Sequence, residues 1–124
     1  MKKILIVEDD FTSVMMLEIM IEDYCKSSLI ATNGLDAIRL CEENPDIKIV
    51  LMDIRLPELN GYDATKKIRE FNKDIIIIAQ TSYAFPGDRE KAITAGCNDY
   101  ISKPYSQIDL TELLKKWTKN IMIL

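Results

Sequence analysis

Ile75-Ile76-Ile77-Ile78-Ala79 is the stretch that decides how this chain folds. Four consecutive β-branched residues make a strand, and the lack of polar alternation puts that strand under cover on both faces. Ile4–Val7, Ser28–Ala31 and Ile47–Met52 have the same character, and Tyr100–Ser102 is a weaker fifth run. Between these runs the apolar period changes. Val14, Leu17, Ile21 and Tyr24 recur along one face of a first helix, and Leu110, Leu113, Leu114 and Trp117 along one face of the last. Leu35–Glu43 reads as a second helix closed by Asn44-Pro45, Tyr62–Phe71 as a third, and Gly87–Ala95 as a fourth ended by Gly96. Strand and helix thus alternate five times. Parallel neighbours need right-handed crossovers, so the pattern predicts an α/β fold with a parallel sheet between two helical layers. With no repeat, linker or low-complexity segment, residues 1–124 read as one domain.

A length of 124 residues supports a hydrophobic core without disulfides or a structural metal. Cys25, Cys41 and Cys97 are widely spaced, form no CxxC pair and have no histidine to complete a zinc site, so they read as reduced thiols of a cytoplasmic protein. A net charge of −4 offers no basic stripe for nucleic acid. Met1-Lys2-Lys3 is followed by only four apolar residues before Glu8-Asp9-Asp10, which is no signal peptide, and no apolar run is long enough to span a bilayer. The tail Ile121-Met122-Ile123-Leu124 is compatible with a packed helix end, a truncated linker or a partner contact.

Open parallel sheets bind ligands beyond the carboxyl ends of their strands. The residues expected there are Glu8, Asp9 and Asp10 after the first strand, Asp53 after the third, Thr81 and Ser82 after the fourth, and Lys103-Pro104 after the fifth. Singly, each has an ordinary reading: Asp10 as a helix N-cap, Asp53 as a turn residue, Thr81 as a turn hydroxyl, Lys103 as a solvated side chain. Together they make a metal-assisted phosphoryl site. Clustered carboxylates repel one another until a divalent cation relieves them, and oxygen ligands suit Mg²⁺. One carboxylate can then attack phosphorus to form an aspartyl phosphate, with Lys103 and Thr81 contacting phosphoryl oxygens.

The stretches Ile4-Leu5-Ile6-Val7-Glu8-Asp9-Asp10, Met52-Asp53-Ile54-Arg55-Leu56-Pro57-Glu58-Leu59-Asn60-Gly61, Thr81-Ser82 and Tyr100-Ile101-Ser102-Lys103-Pro104 closely resemble response-regulator receiver domains of two-component signalling. The resemblance spans nearly the whole chain and implies a flavodoxin-like, doubly wound sheet of order 2-1-3-4-5 flanked by five helices. It implies that Asp53 accepts the phosphoryl group. Glu8, Asp9, Asp53 and the backbone carbonyl of Arg55 would hold Mg²⁺, with Lys103 on the phosphoryl group. Thr81 and Tyr100 would be switch residues that remodel the face made by the fourth helix, fifth strand and fifth helix. Pro104 would follow a cis bond, and Gly61 would supply a permissive backbone. Tyr100 by itself is as readily a packing residue.

Arg55 stands where such domains often carry Met or Asn, and Tyr83, two residues beyond Thr81, is bulky. In the domains that this chain resembles, residues at these two places influence how water reaches the acceptor, so the resemblance predicts slow loss of the phosphoryl group. The segments Ala84–Lys91 and Ala95–Tyr100 look most like receivers attached to hybrid sensor kinases, whose parent protein would itself be a histidine kinase. A stand-alone regulator acting through an output protein is the other possibility. Either way the resemblance implies a signalling phosphoacceptor that assists its own phosphorylation and dephosphorylation. With no histidine in the sequence, a separate histidine kinase or histidine phosphotransfer domain must supply the phosphate. A haloacid-dehalogenase-type aspartyl-phosphate phosphatase wants Asp-x-Asp after its first strand, where this chain has Glu8-Asp9-Asp10. A flavin-binding relative wants a Ser/Thr/Gly-rich loop there. A degenerate receiver acting only as an interaction module is disfavoured because no site residue is missing.

Overall fold

The computed structural model describes residues 3–25, 27–82 and 85–118; Tyr83 and the tail 121–124 lie outside them. In chain order the elements are β1 (Lys3–Val7), α1 (Phe11–Ile21), β2 (Ser28–Ala31), α2 (Gly34–Glu43), β3 (Ile47–Asp53), α3 (Gly61–Phe71), β4 (Ile76–Thr81), α4 (Asp88–Ala95), β5 (Asp99–Ser102) and α5 (Gln107–Trp117). The strands are all parallel and lie in the order β2-β1-β3-β4-β5, which is the doubly wound arrangement that the resemblance implied.

Side chains alternate across each strand, and the sheet carries a core on each face. Leu5, Val7, Val50, Met52, Ile77 and Ala79 face α2, α3 and α4, where Ala37, Ala64, Ile68 and Ala92 meet them. Ile4, Ile6, Ile49, Leu51 and Ile78 face α1 and α5, against Leu17, Ile21, Leu110 and Leu114. A register shift explains an apparent break in this alternation. Lys3 pairs with Ile47 but Ile4 pairs with Ile49, so Lys48 is an extra residue. That bulge sends Ile47 and Ile49 to opposite faces.

The helix starts have local causes. The side chains of Asn33 and Asn60 accept hydrogen bonds from the N–H groups of Asp36 (2.8 Å) and Asp63 (3.0 Å), so α2 and α3 begin one residue earlier than the apolar pattern predicts. Ser106 and Asp109 form a reciprocal capping box on α5. Gly96, at φ 117°, ends α4 as expected, while α4 itself begins one residue late, at Asp88. Tyr24 falls in the turn after α1 instead of on its face. The largest departures are at strand ends. β4 starts at Ile76 and runs on through Gln80 and Thr81, and β3 runs on to Asp53. These polar ends carry no hydrophobic signal, and backbone pairing with the neighbouring strand extends them.

Candidate functional site

Asp53 is the last residue of β3, so the sheet itself aims it, and its neighbours follow from the same geometry. Val7 pairs with Met52, which puts Glu8 and Asp53 side by side as the next residues on adjacent strands. One oxygen from each of Glu8, Asp9 and Asp53 lies within 4.8 Å of the others. Glu8 and Asp53 are buried, whereas Asp9 is exposed. Lys103 approaches from the turn after β5, and its Nζ donates to Glu8 Oε2 at 2.7 Å. Its backbone N–H donates to the Thr81 carbonyl at 2.8 Å, and the Lys103–Pro104 bond is cis as expected. Asp53 Oδ1 accepts from the Arg55 N–H at 3.1 Å. Together with Asp10, Ser13, Arg55 and Ser82 these side chains line an open cleft of about 240 Å³.

The electrostatics favour a cation. Burial first, and then the Glu8 carboxylate beside it, push the Asp53 carboxyl up to about 7, against the opposing pull of Lys103 and the Arg55 N–H. Three hard oxygen donors, two of them buried and one of these, Glu8, paired with the Lys103 ammonium, fit a divalent cation of the Mg²⁺ kind. Asp10 has a different task. It caps α1, accepting from Ser13 N–H at 3.0 Å and Ser13 Oγ at 2.8 Å, and these bonds hold its carboxyl below the ordinary value.

Thr81 and Tyr100 share a sheet face, since Tyr100 pairs with Ala79, two residues before Thr81. Thr81 is buried. The Tyr100 ring packs on the α2–α4 core, and its hydroxyl is already buried, without a hydrogen-bond partner among the described residues. The Arg55 guanidinium lies 5.2 Å from the centroid of the Phe85 ring, so it reaches across the mouth of the cleft to the segment before α4. Gly61 has a different reason from the expected one. Its φ is not positive; the residue of this loop with positive φ is Glu58, at 67°. A Cβ on Gly61 would instead come within 2.3 Å of the Asp53 carbonyl oxygen. Close approach of two backbones, not conformational freedom, requires glycine there.

Sequence reading passed over Gln80, Tyr105 and Asp88. Gln80 is the strand partner of Asp53 and is 1% exposed, with its Oε1 accepting from Tyr105 Oη at 2.5 Å. Asp88 is buried at the start of α4, where Oδ2 accepts from the Phe85 N–H at 2.7 Å and the Tyr62 hydroxyl lies 3.4 Å from Oδ1. The available signal was a glutamine inside an otherwise apolar strand, because a buried polar residue is more informative than an exposed apolar one.

Sheet order and edge chemistry together define the class, an α/β module of phosphoryl signalling. Residues 4–115 match the response regulator receiver domain model, and the chain belongs to that family. It is a receiver domain of two-component signalling. The polar-differentiation response regulator DivK of Brucella anthropi is 36% identical over 119 residues, covering 94% of this chain and 95% of the relative. The receiver domain of the Pseudomonas aeruginosa sensor histidine kinase PA1611, solved with a magnesium ion in its active-site cleft, is 36% identical at a TM-score of 0.82, with 94% and 96% of the two chains covered. The receiver domain of Ssk1 of Saccharomyces cerevisiae, solved with the histidine phosphotransfer protein Ypd1, is 30% identical at a TM-score of 0.88, with 99% and 92% covered.

Proposed function

We propose that Asp53 accepts a phosphoryl group from the phosphohistidine of a histidine kinase or a histidine phosphotransfer domain. The observation that carries this reading is the convergence of Glu8, Asp9 and Asp53 oxygens within 4.8 Å in a cleft that also holds Lys103. An Asp53 carboxylate oxygen attacks phosphorus, the phosphorus–nitrogen bond to the donor histidine breaks, and the phosphoryl group stays on Asp53 as an acyl phosphate. Glu8, Asp9, Asp53 and the Arg55 carbonyl would hold Mg²⁺. When bound, that cation neutralises charge on the transferring group. Lys103, now on Glu8, is close enough to turn its ammonium to a phosphoryl oxygen, and Thr81 supplies a hydroxyl donor. In this role the domain promotes its own phosphorylation and dephosphorylation and acts on no other substrate. We assign the whole of residues 1–124 to one receiver domain working in the cytoplasm.

Thr81 and Tyr100 would transmit the new charge to the face formed by α4, β5 and α5, where an output protein reads it. Because no histidine is present in the sequence, the donor is another domain. A surface for it flanks the cleft. Phe11, Met15 and Ile19 form an exposed apolar stripe on α1, starting two residues after Asp9. By similarity, the magnesium-bound relative supports the cation assignment and the phosphotransfer-bound relative supports the class of donor.

The test is intact mass after incubation with acetyl phosphate, with and without Mg²⁺, on wild type and Asp53→Asn. A single Mg²⁺-dependent phosphoryl adduct, absent from the variant, is expected. An adduct that persists in Asp53→Asn would move the acceptor elsewhere.

A further inference from the structure

The α1/α5 face of the sheet ends in a row of three polar residues on adjacent strands. Glu8 follows Ile6 of β1, Asp53 follows Leu51 of β3, and Gln80 follows Ile78 of β4, each two residues beyond a core side chain of that face. The first two belong to the acidic site. Gln80 has had no task. It is 1% exposed, its carboxamide oxygen is taken by Tyr105 Oη, and its carboxamide NH₂ has no hydrogen-bond partner among the described residues. Burying such a pair with one donor unsatisfied is less favourable than burying two apolar side chains of the same shape. Stability alone therefore does not explain why this position carries glutamine and not another isoleucine.

The position of Tyr105 suggests what it does. It follows directly on Lys103-Pro104, so the Gln80–Tyr105 bond ties the turn that carries Lys103 to the strand beside Asp53. The same turn is fastened at its other end by the Lys103 N–H on the Thr81 carbonyl. The backbone carbonyl of Gln80 also accepts from the Ile54 N–H at 3.0 Å, which fixes the residue next to Asp53. Burial, and then the charges of Glu8 and Asp53, push the Tyr105 hydroxyl up from its ordinary value, so this hydroxyl sits within the field of both carboxylates.

We infer that Gln80 and Tyr105 form a half-buried brace that positions Lys103 relative to Asp53 for phosphoryl transfer. The inference rests on reading Asp53 as the acceptor. Both are positioning residues, since neither need touch phosphorus. The brace acts as a unit: breaking either end releases the turn, and breaking the second end then costs nothing more.

The experiment is a double-mutant cycle on the full chain, with Gln80→Met and Tyr105→Phe as near-isosteric partners. Labelling by acetyl phosphate is followed over a series of Mg²⁺ and donor concentrations, together with thermal unfolding. Each single variant should lower the limiting rate of Asp53 labelling ~10-fold, as expected for loss of one positioning hydrogen bond. The double variant should fall no further. The Mg²⁺ midpoint should be unchanged, because the carboxylates are untouched, and the double variant should melt no lower than wild type. Wild-type rates in both single variants, or additive losses, or losses that follow melting temperature, would overturn the brace while leaving Asp53 as acceptor. Failure of wild type to take an adduct that Asp53→Asn lacks would overturn the acceptor reading and the brace with it.

Discussion

Asp53 sits in an environment that the folded chain tolerates at a cost. Its carboxyl is buried beside Glu8 and is pushed up to about 7. A folded-state value above the unfolded one means that the folded protein holds a proton that the unfolded chain gives up. Stability from this group is therefore complete below the ordinary value of 3.8 and is lost as pH rises towards about 7. At about 1.4 kcal/mol per tenfold change in acidity, the loss is at most about 4 kcal/mol, and Lys103 and the Arg55 N–H are already counted in that balance. Asp53→Asn removes the titration. In the presence of a chelator the variant should melt above wild type at pH 8, and the gap should close towards pH 4. Differential scanning calorimetry across that range checks it, and a gap that widens in acid would contradict the assignment of cause. Added Mg²⁺ should raise wild type more than the variant, because binding to the folded state is linked to its stability. The residue types at this site were legible in the sequence, since carboxylates and a lysine at strand ends carry their chemistry in their names. The role of Gly61 was not, because a contact between two backbones leaves no trace in residue type.

Between elements, Asp99 joins three of them. It stands at the start of β5, and its side chain is 5% exposed. Oδ1 accepts from Arg89 of α4 at 3.1 Å and from the Tyr100 N–H at 2.8 Å; Oδ2 accepts from Lys116 at 3.3 Å and Trp117 Nε1 at 2.9 Å, both of α5. Burial works to raise this carboxyl, but the Trp117, Tyr100 and Lys116 hydrogen bonds outweigh it and hold it below the ordinary value. Its contribution is thus present above about pH 4 and lost in acid. Asp99→Ala should cost about 2 kcal/mol, the usual scale for removing a buried, multiply bonded acceptor whose cationic partners remain solvated. Urea unfolding followed by the fluorescence of Trp117, the sole tryptophan, reads this directly. A loss below about 0.5 kcal/mol, the range of surface substitutions, would show that the junction is decorative. Apolar periodicity located α5, and the closing Gly96 located α4. Neither could locate the junction itself, since Arg89, Asp99 and Lys116 come together only when the strand order is known.

At the scale of the whole molecule, α1 is the element whose composition the fold does not consume. Apolar recurrence and helix stop signals located the five strands and five helices, with several ends off by a residue or more, because most apolar residues are there to be buried. In α1 that logic accounts for Val14, Leu17 and Ile21 and leaves Phe11, Met15, Met16 and Ile19 exposed, each 48% or more. A surface helix ordinarily carries polar residues on that side. Thr12, Ser13 and Glu18 supply few, so the surplus reads as contact area for another protein. Its place matters: the stripe begins at Phe11, two residues after Asp9, so a donor seated on it would bring its phosphohistidine to the cleft. Met15→Glu combined with Ile19→Glu puts two charges into that contact. The rate of transfer from a phosphorylated histidine phosphotransfer protein should fall about tenfold or more, the scale of losing an interface anchor. Acetyl phosphate needs no docking surface, so its labelling rate should stay at the wild-type value. The melting temperature should hold too, because neither residue is in the core. An equal slowing with both donors would place the defect in the site. An unchanged rate with the protein donor would send the docking surface to another face.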